Sequence, residues 1–363
     1  MSSRREALLR AAALTVTGLS GGLALIGGVQ GLRAIGDRSG PRRRPARAWR
    51  TKIGHVAVWW LVAALILGAC GQLSETLRGC GLEGTTALPE GSAELAYTCS
   101  PESSRRHESA ILVVRPGEPA RLITRGSEAS WSPDGRRIAF VSTRSGALEV
   151  HVMNADGTDV VQITHARAFV RDVSWSPDGT QIVFSSGAAG LTGPLGVIQW
   201  PMDIYVARAD GTEARRLTRS GGFNAEPKWS PDGGRIAYCS DVGGPYEVWV
   251  MGSDGSGQRP LTRIGQNCAP SWSPDGSLIA FHSDRDYAGD GTVYVMSADG
   301  GGERRLVDDS GIKPIWSRDG RWIAYESDRD GPNEIYVVHP DGSGLTRITH
   351  DGLSKGDVTW GPP

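Results

Sequence analysis

Histidine and cysteine are scarce in this 363-residue sequence, at seven and five residues, and neither is clustered. Scattered histidines supply no metal-ligand group and no Ser-His-Asp set. The cysteines (Cys70, Cys80, Cys99, Cys239 and Cys268) lack the close pairing of a zinc site. We expect no metal, no cofactor and no catalytic apparatus. Long helical periodicity is also missing: beyond the N-terminal region, no window repeats apolar residues every 3.6 positions, which argues against buried helices. Basic charge is short where a folded domain can be drawn. Residues 1–69 take 11 of the 39 Lys and Arg but only Glu6 and Asp37 of the 40 acids, leaving 28 basic and 38 acidic residues, a net of −10. Nucleic acid is thereby excluded as the main partner, since phosphate binding needs basic surface.

What is abundant is glycine, at 50 residues, and tryptophan, at 12. Glycine with periodic aromatics fits an all-β repeat protein with many tight turns. The N-terminus has a different grammar. Residues 53–69 (IGHVAVWWLVAALILGA) carry no charge and follow Arg42, Arg43, Arg44, Arg47, Arg50 and Lys52, the layout of a secretory signal. The stretch ends Leu67-Gly68-Ala69-Cys70, which resembles a bacterial lipobox and implies lipidation of Cys70. The alternative is a plain membrane span, for which 17 residues is short. A second apolar stretch lies at 11–32, behind Ser3-Arg4-Arg5, which resembles a twin-arginine signal with Ala7 where phenylalanine is preferred. If both stretches span, the arginine-rich segment 33–52 stays cytoplasmic. Both readings put the rest of the chain outside the cytoplasmic membrane. Gly18-Leu19-Ser20-Gly21-Gly22 matches G-x-S-x-G formally, but it lacks the strand–turn–helix context of a nucleophile elbow.

One phrase recurs: Trp131-Ser-Pro-Asp-Gly, Trp175-Ser-Pro-Asp-Gly, Trp229-Ser-Pro-Asp-Gly, Trp272-Ser-Pro-Asp-Gly and Trp316-Ser-Arg-Asp-Gly. The tryptophans step by 44, 54, 43 and 44 residues, and another 44 reaches Trp360. That period matches one four-stranded propeller blade. In each unit a strand ends on the tryptophan and Ser-Pro-Asp-Gly turns the chain, the proline setting φ and the glycine taking a positive one. Two more strands follow, then a second Asp-Gly turn and an outer strand of Arg-Leu-Thr type. The first unit, from Glu94 to Thr124, lacks its tryptophan strand, whereas the tail Asp357–Trp360 has that strand and nothing after it. We expect the tail to supply the innermost strand of blade 1 and close a ring of six blades, leaving no blade unpaired. The domains are then a targeting or anchor region at 1–70, a tether at 71–91 and the propeller at 92–363. Arg318, in place of proline, is expected to loosen its turn.

These motifs resemble the TolB-like propellers, also called PD40 or WD40-like repeats. The resemblance implies a fold rather than a chemistry. Its tryptophans and Ser-Pro-Asp-Gly turns are expected to pack and to turn. TolB carries an α/β domain ahead of its propeller and works in the Tol–Pal envelope complex, and here only the tether stands in that place. Peptidases of the prolyl-oligopeptidase kind add a hydrolase domain to a similar propeller, and none is seen here.

Candidate functional residues are those that break the repeat. The face bearing the loops between strands two and three holds Arg144, Asp241, Asp284, Arg285, Asp286, Asp328, Arg329 and Asp330. They are either a binding rim or solvated turns with paired charges. Three residues before each tryptophan stand Glu128, Asp172, Glu226, Ala269, Lys313 and Asp357. Facing a central channel, they would hold a cation or a basic peptide and raise one another's pKa; otherwise Lys313 and arginines satisfy them locally. Blade 3 carries an apolar insertion, from Gly187 to Trp200, which is either a partner contact or folds back on the rim. With Cys70 set aside, four cysteines remain in an oxidising compartment, with Cys80–Cys99 and Cys239–Cys268 as candidate bridges. The reading of function is a non-enzymatic scaffold, anchored by lipid or span on the outer side of the membrane, that binds protein or cell-wall components. The alternatives are a polysaccharide-acting, lyase-like enzyme, which needs a histidine metal cluster absent from the sequence pattern, and a small-ligand sensor.

Overall fold

A computed structural model of the chain describes residues 80, 88–89, 92–100, 109–116, 118–166, 169–187, 201–286 and 291–361. The segments at 11–32 and 53–69, Cys70, and the insertion from 188 to Trp200 lie outside the described residues, as do most of the tether and a few loop positions. Within the described part every regular element is a strand.

Blade 1 holds β1 (Leu95–Ser100), β2 (Ala110–Val114) and β3 (Arg121–Arg125). Blade 2 is β4 (Ser127–Trp131), β5 (Arg137–Ser142), β6 (Glu149–Asn154) and β7 (Val161–Gln162). Blade 3 is β8 (Phe169–Trp175), β9 (Gln181–Gly187), β10 (Met202–Arg208) and β11 (Arg215–Arg216). Blade 4 is β12 (Asn224–Trp229), β13 (Arg235–Ser240), β14 (Glu247–Gly252) and β15 (Arg259–Pro260). Blade 5 is β16 (Asn267–Trp272), β17 (Leu278–Ser283), β18 (Thr292–Ser297) and β19 (Arg304–Arg305). Blade 6 is β20 (Ile312–Trp316), β21 (Ile323–Ser327), β22 (Glu334–Val338) and β23 (Thr346–Arg347). The last strand, β24 (Ser354–Trp360), pairs antiparallel with β1, with Trp360 opposite Leu95 and Ser354 opposite Ser100. The tail therefore completes blade 1 as expected, and the ring has six four-stranded sheets.

The core is divided into six buried clusters, one between each pair of neighbouring blades. The motif tryptophans sit in these joints. Trp175, Trp272 and Trp360 each donate the indole N–H to a carbonyl on the inner strand of the preceding blade (Ser130, Lys228 and Ile315, at 3.1–3.2 Å). Arg137 and Arg235 lie over the faces of Trp175 and Trp272 in cation–π contact. The glycine of the second Asp-Gly turn permits a close approach between blades. A Cβ on Gly211, at φ +86°, would meet the Ile163 carbonyl oxygen of the preceding blade at 2.6 Å.

Each Ser-Pro-Asp-Gly turn is closed internally. In blade 2, Ser132 Oγ donates to Asp134 Oδ1 at 2.6 Å and accepts the Arg137 amide at 2.9 Å. The same pairs recur around Ser176, Ser230 and Ser273. Arg318 does not loosen its turn. Ser317 still donates to Asp319 and accepts the Trp322 amide, while the Arg318 guanidinium reaches the carbonyls of Pro133 (2.6 Å) and Ser132 (2.8 Å) in blade 2. Blade 1 lies between the two and has no such turn, so the arginine spans the seam that a proline could not reach.

A second repeated device holds the outer strand. An acid at or next to the start of strand three, buried in three blades and partly buried in blade 4, accepts the hydroxyl of the threonine 15 residues later. The pairs are Glu149–Thr164, Asp203–Thr218 (2.8 Å), Glu247–Thr262 and Glu334–Thr349. Each threonine oxygen also accepts the next amide of strand three, as Thr349 does from Ile335 at 3.0 Å. Blade 5 inverts the pair. Val307 stands at the threonine position and Thr292 at the acid position, and Thr292 donates to the carbonyls of Val307 and Asp309. A buried carboxylate without its donor is costly. Thr349→Val is therefore expected to lower stability by ~1–3 kcal/mol. Adding Glu334→Thr, which copies blade 5 but takes the acceptor from Arg347 and the Gly352 amide, is expected to recover part of that loss in urea unfolding. A double variant no more stable than the single one would show that the pairing is incidental.

Candidate functional site

The six positions three residues before the tryptophans converge on the central channel. Glu128, Asp172, Glu226, Ala269, Lys313 and Asp357 line a narrow cavity of about 70 Å³ together with Lys228 and the apolar Ala129, Val173, Ile315 and Val358. All six adopt a left-handed backbone, with φ between 49° and 59°. Each stands at or beside a register shift where the inner strand bulges against its neighbour. Non-glycine residues pay about 1 kcal/mol or more for such a conformation, so something must hold it.

The acids supply that hold. Glu128 accepts the backbone amide of Asp172, Asp172 Oδ2 accepts that of Glu226 at 3.2 Å, and Glu226 Oε2 accepts that of Ala269 at 2.7 Å. The Asp357 carboxyl accepts the amide of Glu128. Every carboxylate thus takes the N–H of its counterpart one blade further on. Ala269 has no acceptor to offer Lys313. At the next joint Glu326 Oε1, from strand two of blade 6, accepts the Asp357 amide at 2.7 Å.

Side-chain cations complete the wall. Lys313 Nζ lies 2.7 Å from Asp357 and 3.5 Å from Glu326. Arg171 Nε lies 3.2 Å from Asp172 and 3.9 Å from Glu128. Burial pushes the Glu128 carboxyl up to about 8, aided by the charges of Asp172 and Asp357 and opposed by Arg171. Glu226 is raised by burial and by Asp172, and Glu326 by burial. Burial opposes charge on Lys313, but Asp357 and Glu326 outweigh it and hold the ammonium well above its usual range. Lys228 is lowered by burial despite the surrounding acids.

The rim residues have partners inside the fold. Arg144 lies over Phe140 and donates to Thr124 Oγ1 and the Arg125 carbonyl. Arg285 lies over Tyr294 and pairs with Glu303 and Asn267, while Arg329 lies over Tyr336 and pairs with Asp309 and the Tyr325 hydroxyl. Asp241, Asp284 and Asp328 hold the inter-blade loops by accepting from the amides of Phe223 (2.7 Å) and Gln266 (2.6 Å) and from the Ser310 hydroxyl. Asp286 and Asp330 accept the hydroxyls of Tyr294 and Tyr336. These contacts make the rim part of the scaffold. Beside the channel, a polar recess of about 150 Å³ opens among Thr98, Ser100, Ser109, Arg171, Lys355 and Asp357. Sequence reasoning missed this recess, because its hydroxyls come from strand β1 and the residue just before β2 of blade 1, which carry no motif.

Cys80 is joined to Cys99 and Cys239 to Cys268, with Cα separations of 5.9 and 4.9 Å. Cys268 lies within the first strand of blade 5, so the second bridge staples blade 4 to blade 5.

Residues 122–193 and 262–362 match the family model for the PD40 TolB beta propeller domain. Over those residues the repeats of the ring are similar to the TolB, PD40-type propeller repeats. The Tol-Pal system protein TolB of Bordetella pertussis is 39% identical over 127 residues, which are 35% of this chain and 27% of that protein. The match thus spans about a quarter of that relative's length. Among solved structures, TolB from Acinetobacter baumannii superposes with a TM-score of 0.65 at 20% identity, covering 76% of this chain and 68% of that one. An oligogalacturonate lyase from Vibrio parahaemolyticus gives a TM-score of 0.51 at 13% identity, covering 73% of this chain and 84% of that one. Both likenesses are of fold. In this propeller the repeated motif accounts for the joints between blades, and the channel wall is built from the positions between motifs.

Proposed function

We propose that the chain is a non-enzymatic binding scaffold whose propeller stands on the outer side of the cytoplasmic membrane and engages protein or cell-wall components. The observation that carries the reading is the TolB-type ring, matched at 39% identity to a protein of the Tol-Pal system. The two cystine bridges suit an oxidising compartment. The recess beside the channel offers hydroxyls and both signs of charge, chemistry suited to a peptide or glycan segment rather than to an apolar ligand. The N-terminal region supplies the anchor in this reading, through a lipid on Cys70 or a span at 53–69.

The test uses the full-length chain in cells, with a photo-crosslinking residue at Asn333, which lines the recess. A reproducible crosslink to an envelope protein or to cell wall is expected, lost when Ser109→Trp fills the recess. A purified chain that cleaves an acidic polysaccharide, with no crosslinked partner, would replace the scaffold with the lyase-like alternative. Saturable binding of a small metabolite with no crosslink would replace it with a sensor. Mass spectrometry of the mature N-terminus is expected to find diacylglycerol on Cys70, and an unmodified cysteine removes the lipid anchor.

A further inference from the structure

Glu226, Cys239 and Cys268 come from three different strands, β12, β13 and β16. A carboxylate oxygen and the two sulfurs all lie within 4.8 Å of one another, and they form the one such group of three or more potential metal ligands among the described residues. Their sequence spacing hides them, since the sulfurs are 29 residues apart and the carboxylate belongs to the channel ring. In a tetrahedral zinc site with Zn–S near 2.3 Å and Zn–O near 2.1 Å, ligand atoms lie roughly 3.5–3.8 Å apart. The two sulfurs are bonded to each other in the oxidised state, so they must part by roughly 1.7 Å to reach that spacing.

The surroundings fit such an ion. Glu226 Oε2 is occupied by the Ala269 amide, which fixes the carboxyl beside Cys268, the residue next to Ala269. Oε1 receives no hydrogen bond from a described residue. Cys239 is fully buried and Cys268 half-buried. Glu226 and Ala269 line the channel, which puts the carboxylate side of the cluster on the channel wall. Asp172 stands on the same wall and adds negative charge, which Lys228 partly offsets.

We propose that these three residues form a thiol-gated site for a borderline-soft divalent cation of the zinc(II) class. Oxidised, the cysteines are the bridge between blades 4 and 5. A dithiol reductant opens that bridge by exchange: two electrons and two protons pass to Cys239 and Cys268, and the reductant becomes its own disulfide. The metal ion then displaces the two thiol protons and is held by two thiolates and the Glu226 carboxylate. Hydrogen peroxide reverses the step, taking two electrons from the thiolates and two protons from solvent. It yields two waters, the disulfide and the free ion. The joint between blades 4 and 5 is thus closed in either state, by a covalent bond or by a metal. This inference is independent of what the propeller binds.

The test uses the full-length chain in detergent, reduced and freed of reductant under anaerobic conditions, then titrated with Zn²⁺ or Co²⁺. One equivalent is expected to bind, with a thiolate-to-cobalt charge-transfer band. In alkylation mapping, zinc is expected to protect Cys239 and Cys268 but not Cys80 and Cys99. Glu226→Gln keeps an oxygen for the Ala269 amide and is expected to weaken zinc binding roughly 10-fold or more without affecting formation of the oxidised bridge. Peroxide is expected to release the ion. The proposal is overturned if the reduced chain takes up no metal, if protection falls on other cysteines, or if Glu226→Gln binds as tightly as the parent. Because Glu226→Gln and alkylation mapping leave both cysteines in place, neither readout depends on a cysteine variant folding.

Discussion

Trp360→Ala is expected to cost ~3–5 kcal/mol of stability, the range for removing a large buried aromatic. The indole is 3% exposed and packs among Leu95, Tyr97, Leu112, Trp322 and Ile335 at the joint between blades 6 and 1. Its N–H is bonded to Ile315, and its strand is what joins the two ends of the described ring. Losing it weakens the joint and the β24–β1 ladder together. Trp229, which holds the same motif position in blade 4 but is only half-buried and has no partner for its N–H, serves as the comparison, and Trp229→Ala is expected to cost less. The readouts are the urea midpoint and the rate of proteolysis near residue 354, where a loosened β24 becomes accessible. Equal costs at the two positions would mean that closure carries no special share of the stability.

Glu128→Gln is expected to stabilise the protein increasingly as the pH rises from about 5 to 8. Burial, with Asp172 and Asp357, pushes the folded-state carboxyl up to about 8, whereas an unfolded glutamate titrates near 4.3. Between those values the folded state holds a proton that the unfolded chain releases, so this group's contribution is full at low pH and declines as pH rises towards 8. Glutamine has no such proton and keeps an acceptor for the Asp172 amide. The difference is expected to be near zero at pH 4.5 and on the order of 2–4 kcal/mol by pH 8. Parallel stability–pH curves for the two proteins would sink the assignment.

The blade architecture was legible because its signals are local. Trp-Ser-Pro-Asp-Gly states a strand end and a turn within five residues, and the unmatched tail Asp357–Trp360 carried the closure. The channel was half legible. The recurrence of acids pointed to one ring, but their service to the next blade's amides depends on a left-handed bulge that sequence does not mark. Ala269 and Lys313 adopt that bulge without any acid. The buried pairs such as Glu334–Thr349 did leave a trace, an acid 15 residues before the threonine that follows the outer strand in four blades, which alternation alone did not reveal. Arg318 misled for a simpler reason. A substitution inside a turn was judged by the turn, whereas its side chain acts across the ring.

The amide-accepting carboxylates also give the ring a direction. Each blade grips the one after it, from Asp357 through Glu128, Asp172 and Glu226, and the grip lapses at Ala269. The joint between blades 5 and 6 is held otherwise, the Ser271 hydroxyl of blade 5 accepting the Trp316 amide of blade 6 at 3.1 Å, so the clasp passes there from carboxylate to hydroxyl, one blade away from the seam where β24 meets β1.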